Sequence, residues 1–369
     1  MSREETKGDL VLVAAGGTGG HLFPAQALAQ AIRARGIRVQ LATDERALRY
    51  GGDFPAEEIH EIASATPTSR GLGAKISAAL VLGKGVVEAY RLLGAIKPRV
   101  VVSFGGYPTV PPALAASLRA VPLILHEQNA VMGRANRFLA RRADRIACGF
   151  PTLEGLPESL CDRVVQVGNP VRPAVLEAAR LSYPGFDDGR LRLLVTGGSQ
   201  GARIMSDVVP AAIERLALEQ RARLVIVQQA RGEDLARVRE VYLRLGVNFE
   251  AAAFFPDLPL RMAKAHLVLA RSGASTVSEL AVVGRPSILV PFPHALDADQ
   301  AANARHLEKA GAAEVMRQTG FTPEWLAERL ARALDEPRDL TRRAQAAKSA
   351  GVPDAAERLA DLALKTAGL

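Results

Sequence analysis

Four stretches of the chain carry residues whose types and spacing could do chemistry. The first is Gly16-Gly17-Thr18-Gly19-Gly20-His21, which follows the apolar run Leu10 to Ala15 and precedes a helix-like stretch through Ala25, Leu28, Ala29 and Ile32. The second, Gly197-Gly198-Ser199-Gln200-Gly201, follows Leu191 to Thr196 in the same manner. A glycine loop between a strand and a helix lets backbone approach an anion closely. Free N–H groups and the positive helix end there favour phosphate by about 0.3–1 kcal/mol or more. The same glycines can also do no more than tighten a strand-to-helix turn, but repetition at equivalent places favours two phosphorylated ligands. A dinucleotide fingerprint begun at Gly17 would need its third glycine at Leu22, and neither loop ends in the glycine-lysine-serine/threonine of a P-loop. Dehydrogenase and P-loop NTPase chemistry are therefore disfavoured.

The third stretch is Arg271-Ser272-Gly273-Ala274-Ser275-Thr276-Val277-Ser278-Glu279, set between the strand Leu267 to Ala270 and a helix. The two carboxylate oxygens of Glu279 suit the vicinal diol of a ribose. The alternative is a capping box with Ser275 or Thr276 at the helix start. In the fourth, Pro291-Phe292-Pro293-His294 leads to Asp297, Asp299, Gln300 and Asn303, after the strand Ser287 to Val290. Gln300 offers a donor and an acceptor to sugar hydroxyls, unless the segment is only an exposed loop entering a helix.

Such residues need a scaffold whose strands end near one another. Leu10 to Ala15, Arg38 to Ala42, Val100 to Phe104 and Leu123 to His126 read as parallel strands, since apolar runs without alternation suit strands covered on both faces. Near residue 190 the grammar restarts, with strands Leu191 to Thr196 and Leu224 to Gln228 and a helix face of Val208, Val209, Ala212, Ile213 and Leu216. The expected class is α/β: two Rossmann-like, doubly wound parallel-sheet domains with an interdomain cleft for ligand. The expected boundaries are 1–170 plus 350–369 for the first domain and 171–349 for the second. One of the final helices, Pro323 to Leu334 or Asp354 to Thr366, is expected to cross back onto the first.

At about 150 residues per domain, 369 residues allow two cores, and 48% apolar with 23% charged residues excludes wholesale disorder and a small disulfide scaffold. Cys148 and Cys161 read as reduced cytosolic thiols. The polar start MSREETKGDL has no secretory-signal character. The best apolar stretch, Ala78 to Val87, is cut by Lys84 and two glycines, well short of the roughly 20 residues that span a bilayer. Any membrane contact is expected at the surface. An excess of 47 basic over 39 acidic residues gives +8 and favours anionic partners. No aromatic-interleaved basic motif supports nucleic acid, and no metal-ligand cluster is visible.

Taken together, Gly16 to His21, Ser103-Phe104-Gly105-Gly106-Tyr107, His126-Glu127-Gln128-Asn129, Gly168-Asn169-Pro170-Val171-Arg172, Gly197 to Arg203, Arg271 to Glu279 and Gln300 to Asn303 resemble the MurG family of N-acetylglucosaminyltransferases. The resemblance covers nearly the whole chain. It implies the GT-B fold and inverting transfer from UDP-N-acetylglucosamine (UDP-GlcNAc) to the 4-hydroxyl of MurNAc in undecaprenyl-pyrophosphoryl-MurNAc-pentapeptide. That converts lipid I to lipid II for peptidoglycan. It further implies that the C-terminal domain holds the nucleotide, with the Phe255 backbone near uracil, Glu279 on ribose, and Ser199, Ser275 and Thr276 near the diphosphate. Thr18, Asn129, Arg172 and Gln300 would complete the donor site. Gly16, Gly17, Gly19, Gly20, Gly105, Gly106 and Tyr107 would receive the acceptor pyrophosphate. The family often has a neutral or basic residue where Asp299 stands, so no contact is carried over there. The implied setting is peripheral, at the cytoplasmic face of the plasma membrane. The implied partners are UDP-GlcNAc, lipid I, an anionic membrane surface and other cell-wall synthesis proteins, with no cofactor, metal or nucleic acid.

Inversion requires a base on the acceptor side and positive charge or N–H dipoles at the departing diphosphate. His21 is the first candidate base, because its ordinary pKa lies near working pH and it stands at the end of a glycine loop. Glu127 competes for the role. His126 reads equally as a core histidine paired to backbone. For membrane contact, Leu72, Ile76 and Leu80 share a helical face near Arg70, Lys75, Lys84 and Arg91. A second basic cluster comprises Arg134, Arg137, Arg141 and Arg142. The competing reading buries that apolar face in the core and leaves the charges merely solvated.

Overall fold

A computed structural model describes residues 9–17, 19–45, 54–65, 72–198, 201–293, 295 and 298–369, the side chains of 72–75 excepted. The chain divides into two compact units, one running to Arg172 and including Pro353–Leu369, the other spanning Pro173–Val352.

In the first unit, β1 (Leu10–Ala14), β2 (Arg38–Thr43), β3 (Ile59–Glu61), β4 (Val100–Ser103), β5 (Leu123–Glu127), β6 (Arg145–Cys148) and β7 (Val164–Gln166) form one sheet. Its order is β3-β2-β1-β4-β5-β6-β7, and every pair is parallel. Successive side chains on a strand face opposite ways, so the unbroken apolar run of β1 demands cover on both sides. Val11 and Val13 share a core with Leu28 and Ile32 of the helix Gly19–Arg33 and with Leu359 and Ala363 of the terminal helix Ala355–Ala367. Leu12 and Ala14 share another with Ala89 and Leu93 of the helix Leu72–Ile96 and Ala113 and Ala116 of the helix Val110–Leu118. Polar ties, Arg35 to Asp361 at 2.8 Å and Arg99 Nη2 to the Ala367 carbonyl at 3.4 Å, also join the terminal helix to this unit. Inside Leu72–Ile96, a Cβ at Gly85 would stand 2.0 Å from the Ala63 carbonyl oxygen, so glycine is what lets the helix lie this close to the preceding chain.

In the second unit, β8 (Leu191–Thr196), β9 (Leu224–Gln229), β10 (Asn248–Ala252), β11 (Leu267–Ala270), β12 (Ser287–Leu289) and β13 (Ala313–Val315) form a parallel sheet in the order β10-β9-β8-β11-β12-β13. Leu193 and Val195 of β8 pack in a core with residues of the helices Arg203–Glu214 and Pro323–Asp335.

Both units are Rossmann-like, doubly wound sheets, as the sequence predicts. Each strand order reverses beside the first strand of its unit, which opens a crevice at the carboxyl ends of β1 and β4 and of β8 and β11. Register sets the contents of each crevice. Ala14 pairs with Ser103, so the Gly16 and Gly105 loops emerge side by side. Thr196 pairs with Ala270, so the Gly197 loop emerges beside Arg271.

Candidate active site

In the first unit, glycine is needed where β1 and β4 leave the sheet. Gly17 has φ +82°, and Gly105 and Gly106 have φ +78°, a region that side-chain-bearing residues rarely adopt. A Cβ at Gly16 would lie 2.7 Å from Asp44 Oδ1 and 2.8 Å from the Pro108 Cβ, so the β1 loop is wedged between the end of β2 and the turn after β4. The Gly17 N–H donates to Asp44 Oδ1 at 3.0 Å. Gly19 and Gly20 open the following helix, where first-turn N–H groups lack helical acceptors. Tyr107 starts the short turn Tyr107–Thr109 beyond the second glycine pair.

His21 lies in the first turn of the helix Gly19–Arg33, against Gly106, where an added Cβ would stand 3.4 Å from its Cε1. Burial holds its pKa below the ordinary histidine value, opposed by the hydrogen bond that a ring N–H donates to the Gly16 carbonyl. At neutral pH the ring is therefore uncharged, one nitrogen donating to Gly16 and the other carrying a lone pair.

Glu127, buried at the end of β5, is used differently. Its Oε1 accepts from the Asn129 N–H at 3.0 Å and from Asn129 Nδ2 at 3.4 Å. Its Oε2 accepts from the Gly133 N–H at 3.0 Å and from Asn136 Nδ2 at 2.8 Å. A carboxylate has about four lone-pair sites, so these donors engage all of them and hold the loop from Asn129 to Gly133. Burial raises the Glu127 pKa and those hydrogen bonds oppose the rise. Neighbouring His126 is a core histidine: Nε2–H donates to the Gly168 carbonyl at 3.1 Å, Nδ1 accepts from Gln128 Nε2 at 3.1 Å, and burial pushes it down to about 4. Arg172 places its guanidinium 4.9 Å from the centre of the Phe23 ring.

The second unit brings the other stretches together. A Cβ at Gly197 would stand 2.1 Å from the Ala202 backbone nitrogen, and Gly198 and Gly201 have φ +82° and +67°. Gln229, at the end of β9, braces this loop: its Oε1 accepts from Thr196 Oγ1 at 2.8 Å and the Gly197 N–H at 3.3 Å, while its Nε2 donates to the Ala253 carbonyl at 3.2 Å. That last bond ties the loop to the segment carrying Phe255, whose buried ring lies 4.2 Å under Arg261. Arg271 donates to the carbonyls of Val290 at 3.0 Å and Pro291 at 3.2 Å and to Gln318 Oε1 at 2.6 Å. Ser272 Oγ donates to the Gln300 carbonyl at 2.9 Å, Asn303 Nδ2 donates to the Ser272 carbonyl at 3.3 Å, and Gln300 Oε1 accepts from the Phe292 N–H at 2.9 Å. The third and fourth stretches thus form one block. Asp299 Oδ1 accepts from the Gln300 N–H at 2.7 Å.

The capping-box alternative for Glu279 fails. The helix Ala274–Val283 is capped by Gly273, so Ser275 and Thr276 are its second and third residues, and Glu279 is buried further along. Hydroxyls and helix-start N–H groups therefore precede a carboxylate on one helix. Thr18 and Ser199 lie outside the described residues, as do the side chains of Leu72 and Lys75.

Ile76, Leu80 and Val87 are 53, 70 and 50% exposed and share a helical stripe with exposed Lys84 and Arg91. Ala78, Gly85, Ala89 and Leu93 bury the opposite face. The reading that buries Ile76 and Leu80 in the core is overturned. Arg134, Arg137, Arg141 and Arg142 are exposed on the segment that carries exposed Phe138. Among the described residues no helix is long and apolar enough to cross a membrane.

Asp44 and Gln229 were not singled out from sequence. The available signal was an acidic or amide residue closing the strand next to each glycine-loop strand, the place where dinucleotide folds put a ligand-binding acid.

Residues 11–148 match the glycosyltransferase family 28 N-terminal domain and residues 192–359 the glycosyltransferase family 28 C-terminal domain. A Methylorubrum populi protein, named UDP-N-acetylglucosamine--N-acetylmuramyl-(pentapeptide) pyrophosphoryl-undecaprenol N-acetylglucosamine transferase, is 60% identical over 360 residues, 97% of each chain. Among solved structures, Acinetobacter baumannii MurG superposes with a TM-score of 0.79 at 29% identity, covering 97% of this chain and 99% of its own. A UDP-GlcNAc 2-epimerase from Neisseria meningitidis, with a TM-score of 0.66 at 14% identity over 96% of this chain and 100% of its own, shares the fold alone. Identity of this extent over nearly the full length of both sequences places the two parallel-sheet units in the GT-B class, and the chain belongs to the MurG family of glycosyltransferases.

Proposed function

We propose that this chain transfers N-acetylglucosamine from UDP-GlcNAc to the 4-hydroxyl of MurNAc in lipid I, with inversion, yielding lipid II and UDP. The observation that carries this reading is the block at the β8 and β11 ends. There the buried Glu279 suits a ribose diol, while Ser275, Thr276, the helix N-terminus and the Gly197 loop suit a diphosphate. The Phe255 segment and Gln300 extend the same block toward the base and the sugar. In the first unit, Gly19 and Gly20 at the helix start and the glycine pair after β4 supply N–H groups for the acceptor pyrophosphate, the Gly17 N–H being taken by Asp44.

In the reaction the acceptor oxygen forms a bond to the anomeric carbon as the bond to the UDP oxygen breaks. Neutral His21 takes the hydroxyl proton, and the electron pair of the broken bond departs on UDP, where N–H dipoles balance it. Glu127, engaged by four donors, acts on this reading by holding the Asn129–Gly133 loop in shape. The exposed Ile76, Leu80 and Val87 stripe with Lys84 and Arg91 docks against an acidic leaflet, at the cytoplasmic face where a lipid-linked acceptor is presented. The test is UDP release from UDP-GlcNAc by purified protein. Release is expected only with a lipid I analogue; release driven by soluble sugars, with none from the lipid analogue, overturns the assignment.

A further inference from the structure

The Gly16 carbonyl and the Gly17 N–H belong to the same peptide unit. His21 donates to one end of it and Asp44 accepts from the other, at 3.0 Å. We infer that Asp44 is a positioning residue that acts on His21 through this single peptide, as an aspartate–peptide–histidine relay. The inference deepens the proposed function and rests on His21 being the base.

A carboxylate on the N–H side polarises the amide and builds negative charge on its oxygen. The hydrogen bond from the imidazole then strengthens, since linked hydrogen bonds in a low-dielectric site reinforce one another by about 10–30% per bond. A stronger acceptor at the donating nitrogen fixes the ring tautomer and makes the opposite nitrogen a better base, which is the part a carboxylate plays when it bonds a catalytic histidine directly. Three features hold the relay in place. Asp44 is buried at the end of β2, Gly16 has no room for a Cβ between Asp44 Oδ1 and Pro108, and the imidazole rests against Gly106. Only glycine at position 16 lets the carboxylate approach this closely. Among the described residues, the ionisable group whose charge is felt at the ring is His126 at the end of β5, neutral at working pH. Tyr107 follows the glycine pair that the ring touches. Among these groups, Asp44 is the one that supplies negative charge through the peptide.

The experiment compares wild type, Asp44→Asn, His21→Ala and the double variant, each as the full chain, by steady-state kinetics over pH with UDP-GlcNAc and a lipid I analogue. Asparagine keeps an oxygen for the Gly17 N–H and loses only the charge. Asp44→Asn is expected to lower kcat about tenfold, to move the acidic limb of the kcat profile to lower pH, and to raise neither KM. In the His21→Ala background, Asp44→Asn is expected to change nothing further. A slow His21→Ala with an Asp44→Asn that leaves the acidic limb in place, or that slows His21→Ala further, overturns the relay and leaves the base intact. A His21→Ala of wild-type activity overturns the base itself, and the relay with it. Thermal melting of Asp44→Asn within about 2 °C of wild type excludes a folding defect as the cause of any loss.

Discussion

The glycine loops after β1 and β8 occupy the same place in two sheets of like order, yet opposite electrostatics brace them. At β1 the support is acidic: Asp44 takes the Gly17 N–H, and the nearby β5 end is organised around buried Glu127. At β8 the support is neutral or cationic: Gln229 and Thr196 take the loop N–H groups, and Arg271 braces the neighbouring turn. A brace without negative charge leaves phosphate binding unopposed, whereas a carboxylate behind a histidine sustains proton transfer. On the proposed assignments, one scaffold supports a nucleotide site in one unit and acid–base chemistry in the other.

The largest expected effect sharpens that contrast. His21→Ala should lower kcat by about 10²–10⁴-fold, the usual range for a general base, while the UDP-GlcNAc KM stays within about threefold. Progress curves at saturating donor and acceptor check it, and an equal rise in donor KM would erase the division. Next is Glu279→Gln, which removes the charge from a hydrogen bond to the donor of a kind worth about 1.5–3 kcal/mol. Donor KM should rise about tenfold or more at nearly constant kcat, whereas a collapse in kcat at saturating donor would move Glu279 into the chemistry.

A stability test addresses the first unit alone. Alanine ordinarily favours a helix over glycine by about 1 kcal/mol, but at position 85 its Cβ would meet the Ala63 carbonyl. Gly85→Ala should therefore lower stability by about 1–3 kcal/mol, read from denaturant midpoints, and a stabilised variant would mean that the helix does not lie against that carbonyl. Leu80→Glu should weaken binding to phosphatidylglycerol vesicles about tenfold in a flotation assay and leave turnover of a short-chain, detergent-soluble acceptor unchanged. Unchanged flotation would remove the stripe from the membrane contact.

The smallest effect is on pH-dependent stability. Burial lowers the folded pKa of His60, His126, His266 and His306, His126 to about 4. Between that value and the unfolded value of about 6.5, the unfolded chain binds more protons. Stability should be full above about pH 6.5 and decline as pH falls toward 4, seen as a melting temperature that drops a few degrees between pH 7 and pH 5. A flat melting curve over that range would contradict the buried neutral assignments.

The strands flanked by glycine loops were readable because β1 is a continuous apolar run and β8 holds the apolar stretch Leu193-Leu194-Val195, which must be covered on both faces. The short strands β3, β6, β7, β10 and β13 were not singled out, for reasons visible in their residues. Ile59-His60-Glu61 and Asn248-Phe249-Glu250, for example, lie on the outermost strands of their sheets, where one side has no strand partner among the described residues and polar residues are tolerated. At the site, residue types showed where chemistry gathers but not what each group touches. The S/T-x-x-E pattern at Thr276 suggested a cap because the strand end at Ala270, which the sequence shows, does not reveal at which of the small residues from Ser272 to Thr276 the helix begins. Asp44 sits in the charged run Asp44-Glu45-Arg46, and its bond to Gly17 spans 27 residues, a pairing fixed by β1–β2 register rather than by any motif.

The most direct measurement is a calorimetric titration of UDP-GlcNAc into the full chain, into His21→Ala and into Glu279→Ala, side by side. The account predicts that His21→Ala binds as wild type does, within about twofold, and that Glu279→Ala loses affinity by tenfold or more. Donor affinity lost in His21→Ala and retained in Glu279→Ala would contradict it.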